Sequence, residues 1–316
     1  MNCMCFGKNN IVTDKTSDRI ADSIADINIQ DNLQQYFLKN KSNNKNIFNI
    51  KNFNHKILGT GGASTTYKIN INNCNYTCKC IKKDNALLKK NALREIELLK
   101  KINNKHFPNY CSDIKNKNGI YIFYNYIDGI DLFEIIDNKY EKIENIDTQL
   151  SIIYEVSKGL YSLFTENLVH LDLKPENILI TNYDPIKLKI IDLECMHDIR
   201  QSKLKRICGT IGYVAPELLF SQKYYHNSDI WSLGCIFFLL LSRFNIFNLQ
   251  KETYENDLKN YTGIYFIHKT ITTELVKYSS DIIHLLSNML KIHHIERFTV
   301  NNILKSDIMK KFDKYV

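Results

Sequence analysis

The stretch that most constrains this chain is HLDLKPEN, His170–Asn177, set between the apolar residues Leu168–Val169 and Ile178–Ile180. It brings Asp172, Lys174 and Asn177 close together in sequence, and such groups are costly to bury without partners. Together they suit phosphoryl transfer. The carboxylate can orient a hydroxyl, the ammonium can offset phosphate charge, and the amide oxygen can bind a metal. A second apolar run, LKIIDLE, ends on Asp192. A carboxylate there suits Mg²⁺, a hard cation that prefers oxygen ligands.

The chain has 316 residues, enough for one two-part domain or two small ones. Residues 1–52 are polar and rich in Asn, Asp and Lys. Ile20, Ile24 and Ile27 follow Ser17 at helical spacing, which predicts a short helix in this extension. From residue 53 the pattern turns to strands: FNHKILGTGG, TTYKININ and YTCKCIKK alternate, with turn residues at Asn72 and Asn73. Ala86–Ile102 has helical spacing, and GIYIFYNYI is a further strand. Beyond it, helices are expected over 148–167, 228–242 and 279–291. The fold class is therefore α+β, with a small β-rich lobe (about 53–125) ahead of a larger, mainly helical one (about 126–316).

Composition narrows the function classes. The net charge of +8 comes from scattered lysines without interleaved aromatics, so nucleic acid is not an expected partner. IWSLGCIFFLLL is short for a membrane span and is read as a core helix. Nine cysteines and no signal peptide suggest a reduced, intracellular setting, cytoplasmic by default. Cys3 and Cys5 offer sites for acylation, although Gly is absent from position 2. Cys78 and Cys80 would share one face of a strand, and no second Cys or His pair completes a zinc site around them.

Two more features point to phosphate chemistry. Gly59 and Gly61, in LGTGGAST, let backbone amides approach phosphates closely. Lys79 is an inward-pointing cation on an apolar strand, and Glu95 on the next helix is its expected partner. In this order, and followed by CGTIGYVAPE and SDIWSLGC, these motifs resemble the eukaryotic protein kinase family over about residues 53–312. LysProGluAsn resembles the serine/threonine class, and the CGTIGYVAPE wording leans toward calcium/calmodulin-kinase-like members.

The resemblance implies ATP and Mg²⁺, with Mn²⁺ as an alternative, and protein substrates bearing Ser or Thr. It implies that Leu58, Gly59, Thr60, Gly61, Gly62, Ala63 and Ser64 cover the phosphates. Thr66, Thr77 and Leu179 would border the adenine. Lys79 would contact the phosphates and pair with Glu95. Tyr124 would be a bulky gatekeeper, with Asn125 and Tyr126 as the hinge. Asp131 would meet the ribose or a basic substrate residue. Asp172 would be the catalytic base and Lys174 would steady the transferred group, while Asn177 and Asp192 would hold the metal. Thr210 would bridge Asp172 and Lys174, Glu217 would pair with Arg297, and Asp229 would tie down the loop at His170–Asp172.

The sequence also departs from the family. Leu171 stands where many members have the Arg that binds a phosphorylated activation segment, so activity independent of such phosphorylation is expected. Leu193 and Glu194 replace Phe and Gly after Asp192, and Glu194 either points to solvent or meets a second cation. Ser64 replaces a loop glycine, and Ala63 an aromatic at the loop tip. Thr66 and Thr77 bring hydroxyls to an adenine pocket that usually has Val and Ala. These departures support an alternative in which the same fold binds nucleotide or partners without turnover. A small-molecule kinase of related fold would lack the AlaProGlu segment.

Overall fold

The computed structural model describes residues 54–61, 64–71, 74–82, 86–115, 119–138, 141–201, 208–259 and 261–313. The expected helix at Ile20–Ile27, Cys3 and Cys5, the turn at Asn72–Asn73, and Gly62 and Ala63 all lie outside them. The architecture is α+β, in two compact units. The first takes the described residues up to Lys89 together with Cys111–Phe123, and the second takes Lys90–Tyr110 and everything from Tyr124 onward.

The first unit is built on a five-stranded sheet in the order β1-β2-β3-β5-β4. Its strands are β1 (Asn54–Thr60), β2 (Ser64–Ile71), β3 (Cys74–Lys82), β4 (Tyr110–Lys115) and β5 (Gly119–Asn125). β1, β2 and β3 pair antiparallel, with Tyr67 opposite Cys78 and Ile69 opposite Tyr76. The two-residue period of the strands puts Tyr67, Ile69 and Cys78 on one face. There they pack with Ile114, Tyr121 and Phe123. The Cys78 and Cys80 sulfurs lie 3.6 Å apart, and Cys78 is a core side chain, as the strand reading expects. Among the described residues no group of three or more His, Cys, Asp or Glu could hold a metal. β4 carries only a weak alternation, with Ile114 as its one fully buried residue, and the sequence pattern did not reveal it.

The helix α1 (Ala86–Leu99) lies mostly in the second unit. The connection after it is stitched there by several bonds. His106 Nε2 meets Glu155 at 2.7 Å, the Ile190 N–H donates to the His106 carbonyl at 2.7 Å, and Lys189 Nζ donates to the Phe107 carbonyl at 3.1 Å.

The helices of the second unit follow their apolar periodicity. α2 (Leu132–Asp137) is short, and α3 (Ile146–Thr165) starts at Asn145, whose side chain accepts from the Asp147 N–H at 2.8 Å. After α4 (Pro216–Ser221), α5 (Ser228–Ser242) is apolar nearly all round, so it sits in the core, with Trp231, Phe237 and Phe238 fully enclosed. No described helix is long and apolar enough to cross a membrane. The remaining helices are α6 (Lys251–Leu258), α7 (Tyr261–Glu274), α8 (Ser280–Met289), α9 (Val300–Leu304) and α10 (Asp307–Lys310). Two small sheets interrupt the helices. β6 (Ile130–Asp131), β8 (Ile178–Tyr183) and β9 (Ile186–Ile190) form one, and β7 (Leu168–Val169) with β10 (His197–Asp198) form the other.

One buried ion pair braces this unit. Arg297 donates to both oxygens of Glu217, at 2.7 and 2.9 Å, and also to the carbonyls of Asn227, Lys291 and Ile292. Burial alone would raise the Glu217 carboxyl, but the guanidinium and the Ser228 hydroxyl outweigh it and hold the group below the ordinary glutamate range. A carboxylate with a lowered folded-state pKa stabilises the fold above its unfolded value of about 4.3. That stabilisation is lost as the pH falls through the folded-state value. Arg297→Ala leaves Glu217 buried and unpaired, so we expect a loss of about 3–5 kcal/mol in urea unfolding at neutral pH. The difference from wild type should shrink in acid.

Candidate functional site

The site in the second unit is set by how β7, β8 and β9 end. β7 delivers His170–Lys174, a 3₁₀ turn at Pro175–Asn177 follows, and β8 begins at Ile178. β9 pairs antiparallel with β8, Ile190 opposite Ile178, and so brings Ile191 and Asp192 back beside the loop. The Ile191 N–H donates to the Asn177 carbonyl at 2.9 Å, and its carbonyl accepts from His170 Nε2 at 3.0 Å. His170 Nδ1 accepts the Asp172 N–H at 3.3 Å. One imidazole thus links both segments.

The loop backbone is pinned from below by Asp229 on α5. Its carboxylate accepts from the His170 N–H at 2.7 Å and from the Leu171 N–H at 2.8 Å. Leu171 is buried and has a φ of +66°. A branched side chain in the left-handed region is strained by roughly 1–2 kcal/mol. The two bonds from Asp229 help to hold that conformation. Burial raises the Asp229 carboxyl, against the pull of His170 and the two N–H donors.

Asp172 sits at the mouth of this loop. Its Oδ1 accepts from the Thr210 hydroxyl at 2.7 Å, which is the Asp172 half of the expected Thr210 bridge. Gly209 precedes it with a φ of +107°, and a Cβ there would lie 2.9 Å from the Leu171 carbonyl, so only glycine fits that close approach. Burial raises the Asp172 carboxyl. The Thr210 bond, Lys174 and His170 oppose that shift, and nearby Asp192 adds to it. Asn177 Nδ2 donates to the Asp172 carbonyl at 2.8 Å, which turns its Oδ1 away from that bond. Asp192 follows Ile191, which is bonded to the Asn177 backbone, and it repels Asp172; oxygen donors and neighbouring acids of this kind suit a divalent cation. The donor set fits Mg²⁺.

Asp131 and Leu179 are directly opposite each other across β6 and β8. One oxygen of Asp131 caps α2, accepting from the Glu134 N–H at 2.8 Å. Asn125 is exposed at the end of β5, where its N–H donates to the Asn109 carbonyl at 3.1 Å, and Tyr126 is half-buried. Tyr124 is buried, as a bulky gatekeeper would be, and its hydroxyl donates to Glu95 at 2.9 Å. The sequence reading missed that bond. It also missed Arg94, which donates to the Glu194 carbonyl at 3.0 Å and meets His197 at 2.8 Å. A charged residue next to Glu95 on a helix was the available signal. Leu193 is buried, while Glu194 is half-buried instead of fully in solvent. Ser202 and Arg206 lie outside the described residues.

In the first unit, Lys79 is buried on β3, opposite Thr66 on β2, and Thr77 is opposite Lys68. Thr66 and Thr77 are half-buried, and Leu58 and Thr60 are exposed. The Gly61 N–H closes the β1–β2 turn onto the Ser64 carbonyl at 2.8 Å. A Cβ on Gly59 would meet nothing within 4 Å, and one on Gly61 only the Ser64 carbonyl at 3.7 Å. Packing does not require glycine at either position. Neither glycine puts a side chain over the turn, and the Gly61 N–H is already committed to Ser64.

The protein kinase domain model matches residues 53–309. The chain belongs to the protein kinase domain family. It is 31% identical over 229 residues to a probable serine/threonine-protein kinase 2 of Plasmodium falciparum, covering 71% of this chain and 44% of that protein. It is 34% identical over 189 residues to myosin light chain kinase 2 of Rattus norvegicus, covering 58% and 31%. It is also 29% identical over 287 residues to serine/threonine-protein kinase cds1 of Schizosaccharomyces pombe, covering 84% and 60%. The chain thus spans less than two thirds of the length of these relatives. The serine/threonine class and the calcium/calmodulin-kinase leaning both agree with these relatives.

Asp229→Asn would replace one acceptor oxygen with an N–H₂ group facing a loop N–H. We expect it to cost about 1–3 kcal/mol. It should also accelerate amide exchange at His170 and Leu171 well above the change at α3, read by hydrogen-exchange mass spectrometry.

Proposed function

We propose that this kinase domain is an active serine/threonine protein kinase that transfers the ATP γ-phosphate to Ser or Thr hydroxyls of protein substrates. The observation that carries the reading is the state of Asp172. It is a half-buried carboxylate whose desolvation raises its pKa, held by Thr210 on a loop pinned by Asp229, with Asn177 bonded to its carbonyl and Asp192 near enough to repel it. A scaffold without turnover has no need to hold an acid there against its own desolvation.

In this reading Asp172 accepts a hydrogen bond from the substrate hydroxyl and orients its oxygen for attack. Thr210 keeps the carboxylate facing that position. Lys174 offsets charge on the transferred group, and Lys79 does so on the ATP phosphates under the glycine turn at Gly59 and Gly61. Asn177 and Asp192 would hold Mg²⁺ or Mn²⁺, which when bound supplies positive charge against the phosphate oxygens. Tyr124, Asn125 and Tyr126 would meet the adenine along with Thr66, Thr77 and Leu179, and Asp131 the ribose or a basic substrate residue. Leu171 offers no guanidinium to a phosphorylated activation segment, so transfer would not depend on that modification.

The test is ³²P transfer from Mg-ATP to a generic basic protein. Wild type should transfer, and Asp172→Asn should lose about 10²–10⁴-fold with folding intact. No transfer by wild type, with ATP still raising the melting temperature, would favour the non-catalytic alternative. Phosphatase treatment should leave the wild-type rate unchanged.

A pH profile adds an independent check. Burial keeps Asp172 protonated to a higher pH than an ordinary aspartate, and the base must be ionised to accept the proton. The acid limb of kcat/KM should therefore lie above the ordinary Asp value of about 3.9. A limb at or below that value would remove Asp172 from the role.

A further inference from the structure

Arg94 and Glu95 are consecutive on α1 and so point about 100° apart around the helix axis. Each is bonded to a different segment of the second unit. Glu95 is among the most buried charges of the described residues, and the Tyr124 hydroxyl donates to its Oε1 at 2.9 Å. Arg94 reaches the turn after Asp192. Its Nη2 donates to the Glu194 carbonyl at 3.0 Å, and its Nη1 lies 2.8 Å from His197 Nε2.

The chemistry of the second contact fixes its polarity. A guanidinium has only donors, so His197 Nε2 must be the acceptor. The ring proton is then on Nδ1, which donates to the Cys195 carbonyl at 2.8 Å. His197 is further fixed by Tyr224, edge-on at 5.5 Å, and by pairing with Val169 across β10 and β7. A neutral, immobilised imidazole thus faces Arg94, and that strand pairing places it next to the loop carrying Asp172.

We propose that Tyr124 and His197 are positioning residues that clamp α1 from two sides, so that Glu95 is held in place without a phosphate on the activation segment. This deepens the kinase reading above and rests on it only for the catalytic consequence. The protein would be self-latched. Arg94 finds its partners in the polypeptide itself, and Leu171 offers no guanidinium at its position to gather a phosphate.

The test compares wild type with Tyr124→Phe, His197→Ala and His197→Gln in the full chain. The first removes one hydroxyl, the second removes the acceptor, and the third restores an acceptor oxygen at similar reach. Amide exchange of residues 86–99 without nucleotide should accelerate about tenfold in Tyr124→Phe and His197→Ala, equivalent to about 1.4 kcal/mol. His197→Gln should return close to wild type. In ³²P transfer, kcat should fall about tenfold in the first two variants, with KM for the protein substrate unchanged. Exchange at wild-type rates in both would overturn the clamp, and faster exchange with unchanged kcat would overturn its positioning role. The exchange readout needs no turnover. If wild type transfers nothing while exchange shifts as expected, the clamp stands and the catalytic reading falls.

Discussion

The carboxylate of Asp229 is completely enclosed, yet it is the point from which the polar part of the second unit is organised. By accepting the His170 and Leu171 N–H groups it fixes the backbone of the loop. It also helps to hold Leu171 in a left-handed conformation that a branched residue would not adopt alone. With that backbone set, the His170 ring can reach both the Asp172 N–H and the Ile191 carbonyl. Ile191 in turn bonds to Asn177, and Asp192 follows it directly. All of these contacts except that between His170 and Asp172 are short in space but long in sequence. One buried acid on α5 therefore helps to align two loops that also share the pairing of β8 with β9 and of β7 with β10. Two backbone donors offset part of the cost of burying that acid.

Much of this was legible in the sequence because the motifs are local. His170–Asn177 and the apolar approaches of β7 and β9 mark three polar side chains and Asp192 as candidates, and the family resemblance gives their roles. The core position of α5 was equally plain, since SDIWSLGCIFFLLL has no polar face to give to water. The sheet of β1, β2 and β3 showed itself through alternation, including the burial of Cys78 beside Tyr67 and Ile69.

What was not legible depends on tertiary pairing. β4 alternates too weakly to announce itself, and it is recognisable only by its place at the sheet edge. Tyr124 could be named as a large buried residue from its strand, but its hydroxyl partner lies 29 positions earlier on a helix. Arg94 bonds across about a hundred residues. No periodicity encodes such contacts. Glu194 was expected in solvent on the general cost of burying charge. It is half-buried, in a turn whose carbonyl at that residue accepts from Arg94.

Leu171 and the residues after Asp192 should be considered together. A glycine after Leu193 would leave the turn free to change its backbone conformation. Here a glutamate occupies the position, with its carbonyl bonded to α1, and Leu193 is packed in the core. Both changes restrict rearrangement, and both lie on the same short segment as His197. A turn held in this way has less conformational entropy to lose when a substrate orders it. In the reading proposed above, it would also give up a switch that a phosphorylated loop and a mobile turn supply. In the reading proposed above, the departures from the family pattern would remove parts that regulate. Asp172, Lys174, Asn177 and Asp192, the groups that chemistry would need in this unit, all remain.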